Sequence, residues 1–343
     1  MSGLDVDARL LALEGTILPH PRYTSALASL VASANRARNP ALEGRARIVL
    51  GRSGDGKTRL LRALEAQDWA KPTLGGREGD LKPVQYVELP SRLSPRTLVN
   101  QIMNAFGENA PSRFNAEEIV DELGHIFRGV GLRMLLLDEA HWLVKSKSQE
   151  VQEQNAEFLK SLINRTGVSV ILAGTHELDL LNRAFHAQMR RRLLPKVVLE
   201  PYRWASTNDR KWFVAILNLY EEALALPSKS NLGTVEIARR LYLVSNGSLG
   251  VVVQYLSSAL EMLADRNGRS ISREDLSNAH QGLNMSKDLV LAGEIDEFLP
   301  DKTNSELDPF LCTEAQLIKL WRAAFHTMAD DSRKTALKPG RPK

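Results

Sequence analysis

Gly51-Arg52-Ser53-Gly54-Asp55-Gly56-Lys57-Thr58 stands between an apolar run, RIVLG at residues 47–51, and an amphipathic stretch, TRLLRALEA at residues 58–66. The octapeptide satisfies G-x-x-x-x-G-K-[ST], and its flanks read as a strand before and a helix after, the context that gives the pattern its meaning. Glycines let successive backbone N–H groups turn inward around phosphate oxygens, and the N-terminus of the following helix adds positive dipole. In such a P-loop Lys57 reaches the β- and γ-phosphates and the Thr58 hydroxyl ligates Mg2+. Residues 51–59, with Arg59 as the last, form the candidate nucleotide-binding segment.

Working outward, four more apolar runs bounded by polar residues or breakers read as buried parallel strands: residues 84–89 (VQYVEL), 134–139 (MLLLDE), 168–174 (VSVILAG) and 196–200 (KVVLE). Helical spacing separates them at 58–66, 94–106, 116–128 and 149–165, so the expected fold is α/β, a five-stranded parallel sheet covered on both faces. After Pro201 only helical patterns follow, at 206–226, 234–244, 249–266 and 272–282. Ser272 with Asp275 three residues on is a variant of the capping box, and Asn267-Gly268 is a turn before it. An amphipathic helix is expected at 22–38 and another at 313–328. The chain thus divides into an N-terminal helical segment (1–45), an α/β core (46–202), a helical domain (203–290) and a C-terminal segment (291–343).

The run at 134–139 ends in Asp138 and Glu139 at the carboxyl edge of its strand, where open α/β sheets bind ligands. Asp138 is the candidate Mg2+ ligand, acting through water, and Glu139 the group that orients and polarises the attacking water. Asp138-Glu139-Ala140-His141 also spells a helicase box, but no second sheet of that class follows, so His141 is expected in the loop after the strand. Thr175, at the end of the fourth strand, is the candidate sensor of the terminal phosphate, ahead of His176 and Glu177; capping of the next helix is the plainer role. Arg190, Arg191 and Arg192 precede the fifth strand, where an arginine donated to a neighbouring subunit could neutralise developing charge; Arg191 and Arg192 are preferred.

The composition narrows the class. With 43% hydrophobic and 25% charged residues the 343-residue chain is neither collagen-like nor wholly disordered. A single cysteine, Cys312, excludes an intrachain disulfide and a cysteine-rich zinc site. The N-terminus lacks the basic and apolar regions of a signal peptide, and no 18-residue apolar run occurs, so a soluble cytoplasmic protein without membrane contact is expected. The net charge of +4 is unevenly spread: residues 294–332 carry nine acidic and three basic side chains, and residues 333–343 carry five basic and none acidic. A modestly basic body, an acidic stretch and a basic tip suit different partners.

Together the P-loop, the Asp-Glu strand end, the polar end of the fourth strand, the arginines before the fifth and an all-helical lid resemble an AAA+ ATPase over about residues 45–285. The phrases GRSGDGKT, LLLDEAHWL, VILAGTHE, MRRRL and SNGSLGVVVQYLSSALEML, with HPRY upstream, are more narrowly similar to the TniB/TnsC family of transposition regulators. That resemblance implies an ATP-bound protein that polymerises on double-stranded DNA, as a homo-oligomeric ring or helical filament. It further implies a link between a TniQ-like target-selecting adaptor and the transposase, with hydrolysis tied to disassembly. Lids of this kind often carry an arginine after the glycine; here Ser248 and Leu249 stand instead. Backbone contacts to DNA are expected from Lys71, Arg77, Lys82, Arg92 and Arg96, and the tail Lys338-Pro339-Gly340-Arg341-Pro342-Lys343 resembles a minor-groove hook. A helicase loader or replication initiator would use the same ATPase parts, and a signalling switch would use them mainly to change partners. The acidic stretch and basic tip are the expected site for a protein partner.

Overall fold

The computed structural model describes residues 5–15, 20–39, 41–73, 81–110, 115–146, 148–181, 191–290 and 308–321, without the side chains of residues 116 and 284–290. The chain forms two compact units, one of residues 21–200 and one of residues 1–20 with 201–343.

In the first unit five parallel strands, β1 (Ala46–Gly51), β2 (Val84–Glu88), β3 (Met134–Asp138), β4 (Ser169–Gly174) and β5 (Val197–Leu199), lie in the order β2-β3-β4-β1-β5. Both faces are covered, and the central strands β3 and β4 are buried along their whole length. Met134 and Leu136 of β3 enter one core with α2 (Pro21–Ala37) and α3 (Lys57–Glu65). Leu135 and Leu137 enter the other, with α4 (Pro95–Asn104), α5 (Ala116–Gly129) and α6 (Gln149–Thr166). This is the period-2 consequence of a strand buried on both sides. In this unit the expected strands and helices are all present, with two informative shifts. Glu139 lies outside β3, and β5 is only three residues long.

The second unit is helical: α1 (Val6–Gly15), α7 (Thr207–Leu224), α8 (Val235–Ser245), α9 (Leu249–Asp265) and α10 (Arg273–Val290). The N-terminal stretch 1–45 is divided, with α2 packed on the sheet and Leu13 of α1 fully buried in the helical core. Arg9 of α1 donates to the carbonyls of Leu224 and Ala225, the open C-terminal end of α7. Gly247, at φ +77°, is required there: a Cβ would stand 1.9 Å from Tyr202 O, and Tyr202 N donates to Gly247 O at 3.0 Å. The capping box at α10 is reciprocal, Ser272 N donating to Asp275 Oδ2 at 2.6 Å and Asp275 N to Ser272 Oγ at 3.2 Å.

Residues 308–321, read from sequence as part of a segment outside the body, pack into this unit. Phe310 and Leu317 are fully buried, and Trp321 meets Trp204 with ring centroids 5.4 Å apart. Buried Arg240 of α8 donates to Pro309 O at 2.6 Å and Cys312 O at 3.2 Å, while Arg273 Nε donates to Phe310 O at 2.6 Å. Among the described residues no single helix is long and apolar enough to cross a membrane.

Candidate nucleotide site

The loop between β1 and α3 is shaped by its two left-handed glycines, Gly54 at φ 82° and Gly56 at φ 86°. A Cβ at Gly56 would meet nothing within 4 Å, so the loop is open on that side. Asp55 closes the turn: Arg52 N donates to its Oδ2 at 2.9 Å, and Asp55 N donates to Arg52 O at 3.2 Å. Gly51 packs tightly on β5, where a Cβ would lie 3.1 Å from Leu199 O. Ser53 and Gly54 are exposed at the crest. Lys57, 5% exposed, extends beneath the loop and donates to Gly51 O at 3.0 Å and Arg52 O at 2.7 Å. Arg59 follows on α3, its carbonyl accepting from the Tyr23 hydroxyl at 3.4 Å.

Asp138 faces this loop from β3. Its Oδ2 accepts from Thr58 Oγ1 at 2.6 Å and from the Tyr86 hydroxyl at 3.0 Å, and its Oδ1 accepts from Glu139 N at 2.9 Å. A carboxylate only 1% exposed is costly to bury without such donors. Tyr86 was not among the residues the sequence singled out. Burial first, then the charge and hydrogen bond of Asp138, push its phenol far above the usual range, so it stays a donor.

Glu139 adopts φ 52°, ψ 30°, a left-handed conformation that costs a non-glycine residue about 1 kcal/mol or more. Its Oε2 lies 3.2 Å from Nδ1 of buried His141. His141 occupies a 3-10 helix, Ala140–Leu143, rather than an open loop. Gly174 at the end of β4 makes room for it, since a Cβ there would stand 2.7 Å from His141 N.

Thr175 leaves β4, the strand between β1 and β3, and takes the N-cap position of the 3-10 helix His176–Leu180. Its side chain does not cap that helix; the hydroxyl donates to the Glu177 carboxylate. Burial raises the Glu177 carboxyl, but Thr175, its own backbone N–H, Lys145 and His141 together hold it below the usual range. Lys145 Nζ lies 3.7 Å from Glu177 Oε1.

The other described candidates lie away from this site. Arg190 lies outside the described residues. Ala46 N, at the start of β1, donates to Arg192 O at 3.0 Å, and Arg45 donates to Arg191 O. The arginines therefore flank the edge of β1 opposite the P-loop, about 17 Å away at strand rise. Arg192 Nη2 lies 3.6 Å from Glu43 Oε1. Of the DNA-contact candidates, Arg77 lies outside the described residues. Lys82 precedes β2, whereas exposed Arg92 and Arg96 follow it, so the strand separates them; Lys71 is paired with Asp68 at 2.7 Å. Ser248, buried, is the N-cap of α9, and Leu249 is that helix's first residue. The tail at 338–343 lies outside the described residues.

The donor set fits a nucleoside triphosphate with Mg2+. A hydroxyl and a carboxylate, both hard oxygen donors, meet beside a loop of left-handed glycines at a helix N-terminus. Comparison with solved structures gives the fold a context. The chain is similar to the Aeropyrum pernix ORC2 protein in its ADPNP–ADP complexes, with TM-score 0.56 and 19% identity, over 80% of this chain and 72% of that one. It is similar to CDC6P from Pyrobaculum aerophilum, with TM-score 0.57 and 17% identity, over 79% and 70%. The structure of Drosophila ORC bound to DNA matches with TM-score 0.50 and 14% identity, over 100% and 83%. These likenesses establish the AAA+ P-loop fold, five-stranded and followed by helices. No curated protein matches the sequence. The family model described as "Bacterial TniB protein" matches residues 12–203, spanning the sheet and every element around the P-loop, and the chain belongs to the TniB family.

Proposed function

We propose that the protein is an ATP-hydrolysing regulator of DNA transposition. It assembles on double-stranded DNA as a homo-oligomer, a ring or helical filament, and connects a TniQ-like target-selecting adaptor to the transposase. The observation that carries this reading is the hydrogen bond between Thr58 of the P-loop and Asp138, the residue that precedes and binds the amide of Glu139, in a chain of the TniB family.

The chemistry follows from the residues. Backbone N–H groups of the loop and the first turn of α3 receive the phosphates, and the Lys57 ammonium neutralises the charge of the β- and γ-groups. Thr58 and Asp138 would hold Mg2+, which when bound neutralises charge on the phosphate oxygens. Glu139 orients a water for attack on the γ-phosphate and polarises its O–H bond. Thr175 emerges from the strand between the two halves of the site, which supports a sensing role. Arg191 and Arg192 lie at the sheet's far edge, which favours donation to a neighbouring subunit over action on their own loop.

Binding to DNA through an assembly also suits the charge. A net +4 spread over 343 residues is too dilute for a firm monomeric grip, since affinity grows with the number of phosphates neutralised. Repeating a small basic patch along the duplex adds weak contacts through avidity. The DNA in the Drosophila ORC structure is compatible with this ligand class. Electron microscopy with duplex DNA and a non-hydrolysable ATP analogue tests the reading: ordered rings or filaments are expected, and persistent monomers would sink it.

A further inference from the structure

Tyr86 belongs to no nucleotide-binding motif, and along β2 it reads as one more apolar core position. Its hydroxyl nevertheless enters the site. Three donors from three elements fix the Asp138 carboxylate: Thr58 from α3, Tyr86 from β2, and the Glu139 amide from the turn after β3. Two of them share Oδ2, at 2.6 and 3.0 Å. That oxygen has little capacity left for a further partner. Through Oδ2 Asp138 orients the Thr58 hydroxyl, whose proton is committed to the carboxylate and whose lone pairs remain for a cation, while Oδ1, with the Glu139 amide as its donor, keeps capacity to reach a cation through water.

The tyrosine is itself held rigidly. The residue is 8% exposed, its ring lies in the core beneath α3, and the Arg62 guanidinium sits 3.5 Å from the ring centroid. Arg62 is in turn tied to Glu65 at 2.7 Å. Backbone register aligns β2 with β3, Tyr86 beside Leu136 and Glu88 beside Asp138, so the phenol reaches two residues along the neighbouring strand. A ring clamped this way offers its hydroxyl in one position. Loss of that hydroxyl leaves Oδ2 with Thr58 alone and Oδ1 with the Glu139 amide, so the orientation of the carboxylate is less tightly fixed.

We infer that Tyr86 is a positioning residue for the metal-binding pair, holding Asp138 in the orientation that presents Thr58 to Mg2+. The inference rests on the reading of the P-loop as an ATP and Mg2+ site. Tyr86→Phe removes one oxygen and keeps the ring, the packing and the Arg62 contact.

The test is binding of a fluorescent ADP analogue to the full chain, in EDTA and across a Mg2+ titration, alongside thermal melting without nucleotide. Y86F is expected to bind the analogue in EDTA as the unaltered protein does, yet to need roughly five times more Mg2+ for half of the Mg2+-dependent tightening, the loss typical of one hydrogen bond. A purely structural role would lower the melting temperature and the affinity in EDTA together and leave the Mg2+ midpoint unchanged. That result, or a variant indistinguishable from the unaltered protein, would overturn the inference. Failure of the unaltered protein to bind the analogue at any Mg2+ concentration would instead overturn the reading of the site.

Discussion

Thr58 and Asp138, 80 residues apart in sequence, are joined by a 2.6 Å hydrogen bond from hydroxyl to carboxylate. This bond links the loop that receives phosphate to the strand that ends in the acidic pair. Thr58→Ser keeps the donor and should retain most nucleotide affinity in Mg2+. Thr58→Val deprives a buried carboxylate of one donor and should weaken Mg2+-dependent binding at least tenfold, as calorimetry with ATP and Mg2+ would show.

Glu139 offers a separation of stability from activity. Its backbone sits at φ 52°, which glycine adopts without penalty. Glu139→Gly should therefore melt at the same temperature as the unaltered protein or higher, while ATP turnover falls by a factor of about 100 or more. Glu139→Gln should lose turnover to the same degree but keep ATP binding, and so accumulate DNA-bound assemblies. A phosphate-release assay beside a melting curve checks both.

Lys57 supplies the loop's buried cation. Lys57→Ala should abolish measurable ATP binding and, with it, assembly on DNA. Circular dichroism should show the fold retained, because the substitution removes two hydrogen bonds, to Gly51 O and Arg52 O, while alanine keeps the first turn of α3 helical.

In the helical unit, Arg266 grips Asp275 at 2.8 and 2.6 Å while Asp275 caps α10. Burial raises the Asp275 carboxyl, but Arg266 and Ser272 outweigh it and hold the group below its ordinary value. The native state thus favours the ionised form. The stabilisation is complete above the unfolded carboxylate pKa of about 4 and is lost as pH falls through the lower native value. Asp275→Asn should lower the melting temperature at pH 7 and flatten its dependence on pH below about 5. An equal drop at pH 3 and pH 7 would contradict this.

The motif residues were legible because their geometry is local. A glycine-rich turn, a lysine and a threonine at fixed spacing between strand and helix admit few other structures, and an apolar run ending in Asp138-Glu139 marks a strand's carboxyl edge. Tyr86 was not legible, because a tyrosine in a strand looks like core until the neighbouring strand's register is known. Arg191 and Arg192 could be placed before β5 but not at an edge of the sheet. Residues 308–321 misled for a different reason. Their acids drew attention to charge, whereas Phe310, Leu317 and Trp321 form the stripe that packs inward.

That stripe changes what a C-terminal deletion measures. A chain ending at residue 321 keeps the described contacts of that stripe, so a melting temperature equal to the unaltered protein's would tie any loss of partner recruitment to the residues beyond. Ending at residue 307 removes Phe310 and leaves buried Arg240 without its carbonyl acceptors, at a cost of about 3 kcal/mol or more. Differential scanning calorimetry of the two truncations separates recruitment from folding.

The divided N-terminus bears on how the protein is made. Residues 21–200 are one uninterrupted stretch, so the ATPase unit can complete itself while the rest is still on the ribosome. α1 is synthesised before the sheet but finds the surfaces that bury Leu13 only after α7 to α9 have been made. At ordinary elongation speeds of about 5–20 residues per second, that helix waits on the order of 12–50 seconds for its partners. A helix made before the sheet folds after it, and through that interval its leucines are available to chaperones.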